Sequence, residues 1–218
     1  MMEYKDLPFI AGAMEAGQPN EELKAWAGVN SAPVVAATSS PPINRWNDIL
    51  LLLEELSPNK PLIPTEPDLR VQFWGIAHAI CAADGFGWNR RLDGLHRGAK
   101  VGFNPGRFGK KYGYTTESGE KAEYKSVQFM RYLSGVLKQQ REKGISYIIG
   151  NSVSAVDFYW AAFSNLVVLQ SPEACPVDDS IRERFENVSS KVVEAFDPIL
   201  RSHRDQIMSE YFKIPMEL

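Results

Sequence analysis

Four prolines fall within eleven residues at Ser57-Pro58-Asn59-Lys60-Pro61-Leu62-Ile63-Pro64-Thr65-Glu66-Pro67, and no helix continues through such a segment. Proline lacks the amide hydrogen a helix needs, and its ring clashes with the preceding turn. The 218-residue chain is therefore divided: residues 1–60 are expected to form one domain, 61–67 a linker and 68–218 a second domain. Before the linker, Leu7 to Ala11 and Ala32 to Ala37 read as short β-strands. Between them Asn20 to Trp26 reads as a short helix, with Asn20 as its cap and Glu21 and Glu22 in its first turn. Asn44 to Leu56 places Trp46, Ile49, Leu50, Leu53 and Leu56 at helical spacing.

Beyond the linker the periods are long and helical. Asp68 to Ala83 is apolar on almost every side, with Val71, Phe73, Trp74, Ile76, Ala77, Ile80 and Cys81, as in a helix buried on several faces. Ala122 to Arg141 and Ser180 to Leu200 each carry one apolar stripe and read as amphipathic helices. The sharpest local signal is Gly150 to Asp157, ahead of the apolar run Phe158 to Leu169. Ser154 and Asp157 hold the two positions of a capping box, with Asp in place of the usual Glu or Gln.

Charge and cysteine usage exclude several classes. With 24 Lys and Arg against 27 Asp and Glu, the net charge is −3. That balance, with no accompanying fold signature, argues against a nucleic-acid partner. The apolar stretch Phe73 to Ala83 is interrupted by His78 and is shorter than the roughly 18 residues a membrane span needs. Met1 to Asp6 lacks the basic start and apolar block of a signal peptide. Cys81 and Cys175 lie far apart without a CxxC pair, so neither a disulfide framework nor a cysteine metal site is expected. The default compartment is cytoplasmic.

Taken in order, these pieces resemble the glutathione transferase superfamily. Ser31-Ala32-Pro33-Val34-Val35 resembles the strand that begins with a cis-proline. Asn47 to Glu54 resembles the helix after the glutathione-binding turn, and Pro61 to Pro64 the linker. Gly150 to Asp157 resembles the start of the core helix of the second domain. The resemblance implies a thioredoxin-like α/β domain followed by an all-α helical bundle. It implies a homodimer, with glutathione as co-substrate and a small electrophilic or apolar molecule as acceptor. By the same resemblance Ala32, Pro33 and Val34 pair with the cysteinyl part of glutathione, and Arg45, Trp46 and Asn47 stand where its γ-glutamyl carboxylate is held. The family usually places Glu or Gln followed by Ser at the first two of those positions; here they are Arg45 and Trp46. Pro33 has 32 residues before it, fewer than the family's usual count, so the first strand, most of the first helix and the catalytic position have no counterpart. A non-catalytic ligand-binding or assembly module of the same fold is the alternative.

A substrate cleft is expected from Trp74, His78, Cys81, Arg90 and Arg91. His78 and Cys81 stand at i and i+3 on one helix, as a candidate base and nucleophile, although a core histidine and a buried free cysteine explain the pair more simply. From Arg90 to Lys111 there are seven Lys and Arg against one acid, Asp93. With glycines throughout, residues 86–119 read as an inter-helix loop, either solvated or serving as a basic lid for an anionic, partly aromatic substrate. His96 and His203 are expected in solvent. No nucleotide-binding glycine motif is present.

Overall fold

The structure is a computed structural model and describes residues 1–15, 18–38 and 40–216. The chain divides into two compact units, Met1–Leu62 and Ile63–Leu218.

The first unit carries helices α1 (Glu21–Ala27) and α2 (Trp46–Leu56). Asn20 precedes α1 in a left-handed conformation and makes no side-chain cap. Its amide group instead ties the preceding turn, accepting from the Glu15 amide at 3.1 Å and donating to the Glu15 and Gln18 carbonyls. Among the described residues there is no strand, contrary to the expectation for Leu7–Ala11 and Ala32–Ala37. Val35 and Ile43 form one isolated antiparallel bridge, each amide donating to the other's carbonyl at 2.9 and 2.8 Å. Extending the ladder requires the next hydrogen-bonded pairs, 33 with 45 and 37 with 41. Pro33 and Pro41 have no amide hydrogen, so the ladder stops on both sides.

α2 buries Ile49, Leu50 and Leu53 on one stripe. Its end is fastened by Lys5, whose side chain is buried. The Lys5 ammonium donates to the Ser57 and Lys60 carbonyls at 2.7 Å each and pairs with Glu54 at 2.8 Å. The Glu54 carboxylate also accepts from the Leu62 amide at 3.0 Å. A buried ammonium is tolerable only when its protons are all answered, as these are.

The second unit is helical: α3 (Pro67–Cys81), α4 (Phe86–Lys100), α5 (Gly106–Tyr112), α6 (Thr116–Glu142), α7 (Ala155–Phe163), α8 (Asp179–Glu186), α9 (Ser190–Ala195) and α10 (Pro198–Tyr211), with a 3₁₀ turn at Ser164–Leu166. α7 is the core, with every residue from Ala155 to Ala161 buried. It packs on α3 and α10, while α4 lies along α6. Trp160 is fully buried, its indole N–H donating to the Leu200 carbonyl at 3.2 Å, with Phe86 and Phe196 at 5.3 and 6.1 Å.

Two expectations fail here. Residues 86–119 are mainly helix, not loop. Several of their glycines serve close packing: a Cβ on Gly87 would lie 2.3 Å from the Phe163 ring, and one on Gly119 2.6 Å from His96. Gly113, at φ 62°, does end α5 in the left-handed conformation. α6 then starts with its own capping box, in which the Thr115 hydroxyl accepts from the Ser118 amide and the Ser118 hydroxyl from the Thr115 amide. Ser180–Leu200 is likewise broken into α8, α9 and the start of α10, because Ser189 caps α9, and Asp197 with Pro198 opens α10. No described helix is long and apolar enough to cross a membrane.

Candidate functional site

In the first unit the bridge between Val35 and Ile43 fixes the register of the two candidate segments. Ala32-Pro33-Val34 leads into it and Arg45-Trp46-Asn47 leads out. The Ala32–Pro33 peptide is cis. Arg45 occupies the N-cap of α2 in an extended conformation and provides no side-chain cap. Such an end attracts negative charge. The Arg45 guanidinium is largely exposed and lies 3.6 Å from Asp48, and the Asn47 side-chain amide donates to the same carboxylate at 2.9 Å. Both residues expected to hold a ligand carboxylate are thus already turned toward one belonging to the chain.

In the second unit Trp74, His78 and Cys81 follow each other along α3. Trp74 and His78 meet edge to face at 6.3 Å, and His78 is exposed rather than buried as a core histidine would be. Cys81 is half-buried, and burial pushes its thiol far above the ordinary range, so it is held protonated. A protonated thiol is a poor nucleophile. Adjacent Arg90 and Arg91 go to different places. Arg90 is buried, donating to Asp93 at 2.6 Å and to the Leu166 carbonyl at 3.3 Å, which ties α4 to the turn after α7. It is a structural side chain rather than a cleft group. Burial lowers its pKa and Asp93 opposes that shift. Arg91 stays half-exposed, donating to the Gly87 carbonyl at 2.7 Å and lying over Tyr112 and Phe163.

The remaining histidines are buried, not solvated. His96 is 6% exposed, with Nδ1 3.1 Å from the Tyr114 hydroxyl and Nε2 unpaired. His203 is fully buried on α10, its Nε2 3.0 Å from Asp157 Oδ1. Asp157 also accepts from the Ile148 amide, the Ser154 amide and the Ser154 hydroxyl at 2.9, 2.8 and 2.9 Å. Local spacing shows the Ser154 contacts alone; Ile148 and His203 arrive through the fold. Among the described residues no cluster of three or more His, Cys, Asp or Glu is placed to hold a metal ion.

No protein-family model matches this sequence, and no curated protein matches it. Among solved structures it is similar to a glutathione S-transferase from Methylobacterium radiotolerans in complex with glutathione sulfonate. That match has 14% identity and a TM-score of 0.61 over 97% of this chain and 83% of that one. A monomeric glutathione S-transferase from the hookworm Necator americanus matches at 16% identity and TM-score 0.49, over 88% of this chain and 75% of that one. One from Actinobacillus pleuropneumoniae matches at 13% and 0.46, over 85% and 73%. The first of these shows that the chain has a glutathione S-transferase fold.

Proposed function

We propose that this chain is a glutathione-transferase-like protein that binds glutathione in its first unit and presents it to a small electrophilic or apolar substrate. The observation that carries the reading is the shared fold, since its relative from Methylobacterium radiotolerans is complexed with a glutathione derivative. In this reading residues 1–60 belong to a thioredoxin-like domain, and the protein is a cytoplasmic homodimer. The side chains fit a tripeptide with carboxylate ends in kind. Arg45 offers a planar fork to a carboxylate. The Ala32 to Val34 backbone offers its polar groups to the cysteinyl amide. Bound glutathione supplies the nucleophilic sulfur. The chain's part is to hold it, and no residue is assigned to remove its proton.

A second reading, a non-catalytic ligand-binding or assembly module, is favoured by two specific observations. Asp48 already engages both Arg45 and Asn47, and the Cys81 thiol is held protonated. Calorimetric titration of reduced glutathione separates the two. The first reading expects saturable binding in the micromolar to low millimolar range, weakened in Arg45→Ala and strengthened in Asp48→Asn, where the competing charge is gone. Absence of heat at millimolar glutathione in both the unaltered chain and Asp48→Asn leaves the second reading standing.

A further inference from the structure

The segment from α4 to α5 carries more positive charge than its own carboxylates answer. It holds seven Lys and Arg against the single acid Asp93, and Asp93 is committed to Arg90 in a buried pair. Arg97 turns to the Asn187 side-chain carbonyl at 2.7 Å. Two other cations are then gathered on one ring. The Arg91 guanidinium lies 5.6 Å from the Tyr112 centroid and the Lys111 ammonium 5.7 Å from the same centroid. Among the described residues neither has a carboxylate within ion-pair distance.

The ring alone does not account for the pair. An aromatic face attracts a single cation weakly, and a second one brings repulsion. Partial desolvation by its neighbours, then the nearby charge of Arg91, press the otherwise exposed Lys111 ammonium toward losing its proton. Yet the arrangement is held firmly from behind. Arg91 is aimed by its bond to the Gly87 carbonyl and by the Phe163 ring at 5.6 Å. Phe163 approaches this closely because residue 87 is glycine. Tyr112 is braced by Trp88, whose ring meets it edge-on at 4.9 Å and whose indole N–H donates to the Tyr112 carbonyl at 2.9 Å. Residues of three helices thus hold two like charges against one ring, near enough for the charge of Arg91 to act on Lys111.

We propose that Arg91 and Lys111 form a binding site for a compact oxyanion of the phosphate or sulfate class, free or as the head of a small ester. The planar guanidinium pairs with two oxygens and the ammonium adds a point charge. An anion seated against both turns their mutual repulsion into two attractions. The aromatic wall of Trp88 and Tyr112 lowers the local dielectric and strengthens them. This site belongs to the second unit alone and does not depend on glutathione binding in the first.

The test is calorimetric titration of the full chain at low ionic strength, with inorganic phosphate and separately with phenyl phosphate as probes. Saturable binding is expected, weakened at least about tenfold by Lys111→Ala and likewise by Arg91→Gln, because each removes one charged partner. Added salt weakens it further, as screening requires. Tighter binding of phenyl phosphate identifies an ester head as the occupant, and equal binding a free ion. Lys111 is exposed, so its variant keeps the fold and the test stands even where Arg91→Gln unfolds. No saturable heat from either probe, or an affinity unchanged in Lys111→Ala, overturns the proposal.

Discussion

Asp157 is the residue on which the second unit turns. It is fully buried, and its carboxylate answers two amides and a hydroxyl while touching His203. Removing it leaves those donors buried without an acceptor, at about 1–3 kcal/mol for each unsatisfied group. Asp157→Ala is therefore expected to lower unfolding stability by about 3 kcal/mol or more, and Asp157→Asn by less. Urea denaturation followed by circular dichroism checks it, and a loss below about 1 kcal/mol contradicts it. The Ser154 and Asp157 pairing is legible in sequence because a capping box is local. The Ile148 amide and His203 are not, since they come from a preceding loop and from a helix over forty residues later. Cys81 gives a second residue-level test. Because burial raises its thiol above the ordinary range, iodoacetamide at pH 8 is expected to alkylate it far more slowly in the native chain than in urea. Equal rates would show an accessible thiolate instead.

At the scale of elements, α10 and the pairing of α4 with α6 show what the periodic pattern conveyed and what it hid. Asp197 caps α10 by accepting from the Ile199 amide at 3.0 Å, and it also accepts from the Ser134 hydroxyl at 2.9 Å and from Lys138. Lys138, the Ile199 amide and Ser134 lower its pKa below the ordinary 3.8. A carboxylate lowered in the native state adds stability above its unfolded value, and that contribution disappears as pH falls from about 4 through the native value. Asp197→Ala is expected to cost about 1 kcal/mol at neutral pH. The difference between variant and parent is expected to shrink in acid, as read from urea midpoints at pH 7 and pH 3. A difference that does not shrink would assign the effect to packing. The apolar stripe from Ser180 to Leu200 ran through this cap because periodicity ignores interruptions, whereas Ser189 and Asp197-Pro198 each begin a new helix. Residues 86–119 failed in the opposite direction. Their glycines suggest turns, but Gly87 and Gly119 mark places where another side chain leaves no room for a Cβ. Gly119→Ala is accordingly expected to destabilise by about 1–3 kcal/mol despite alanine's better helix propensity. Thermal unfolding at or above the parent midpoint would contradict this.

At the scale of the whole molecule, the order of signals along the chain pointed to a glutathione S-transferase fold, and the structural likeness shows that fold. Proline interruption of α2 and α3 and the start of α7 follow local rules. The expected strand over Ala32 to Ala37 is reduced to one bridge because Pro33 and Pro41 sit at the two positions needed to extend it. Arg45 and Asn47 entered as candidates by analogy alone, and sequence does not show that both face Asp48. Arg91 and Lys111 lay unnoticed as a pair, twenty residues apart in a segment read as loop. The central claim is that glutathione binds in the first unit, and backbone amide NMR during titration with reduced glutathione tests it most directly. The account predicts saturable shifts at Ala32, Val34 and Arg45 to Asp48, lost in Arg45→Ala. No shift at millimolar ligand, or shifts confined to Phe86–Thr116, would contradict it.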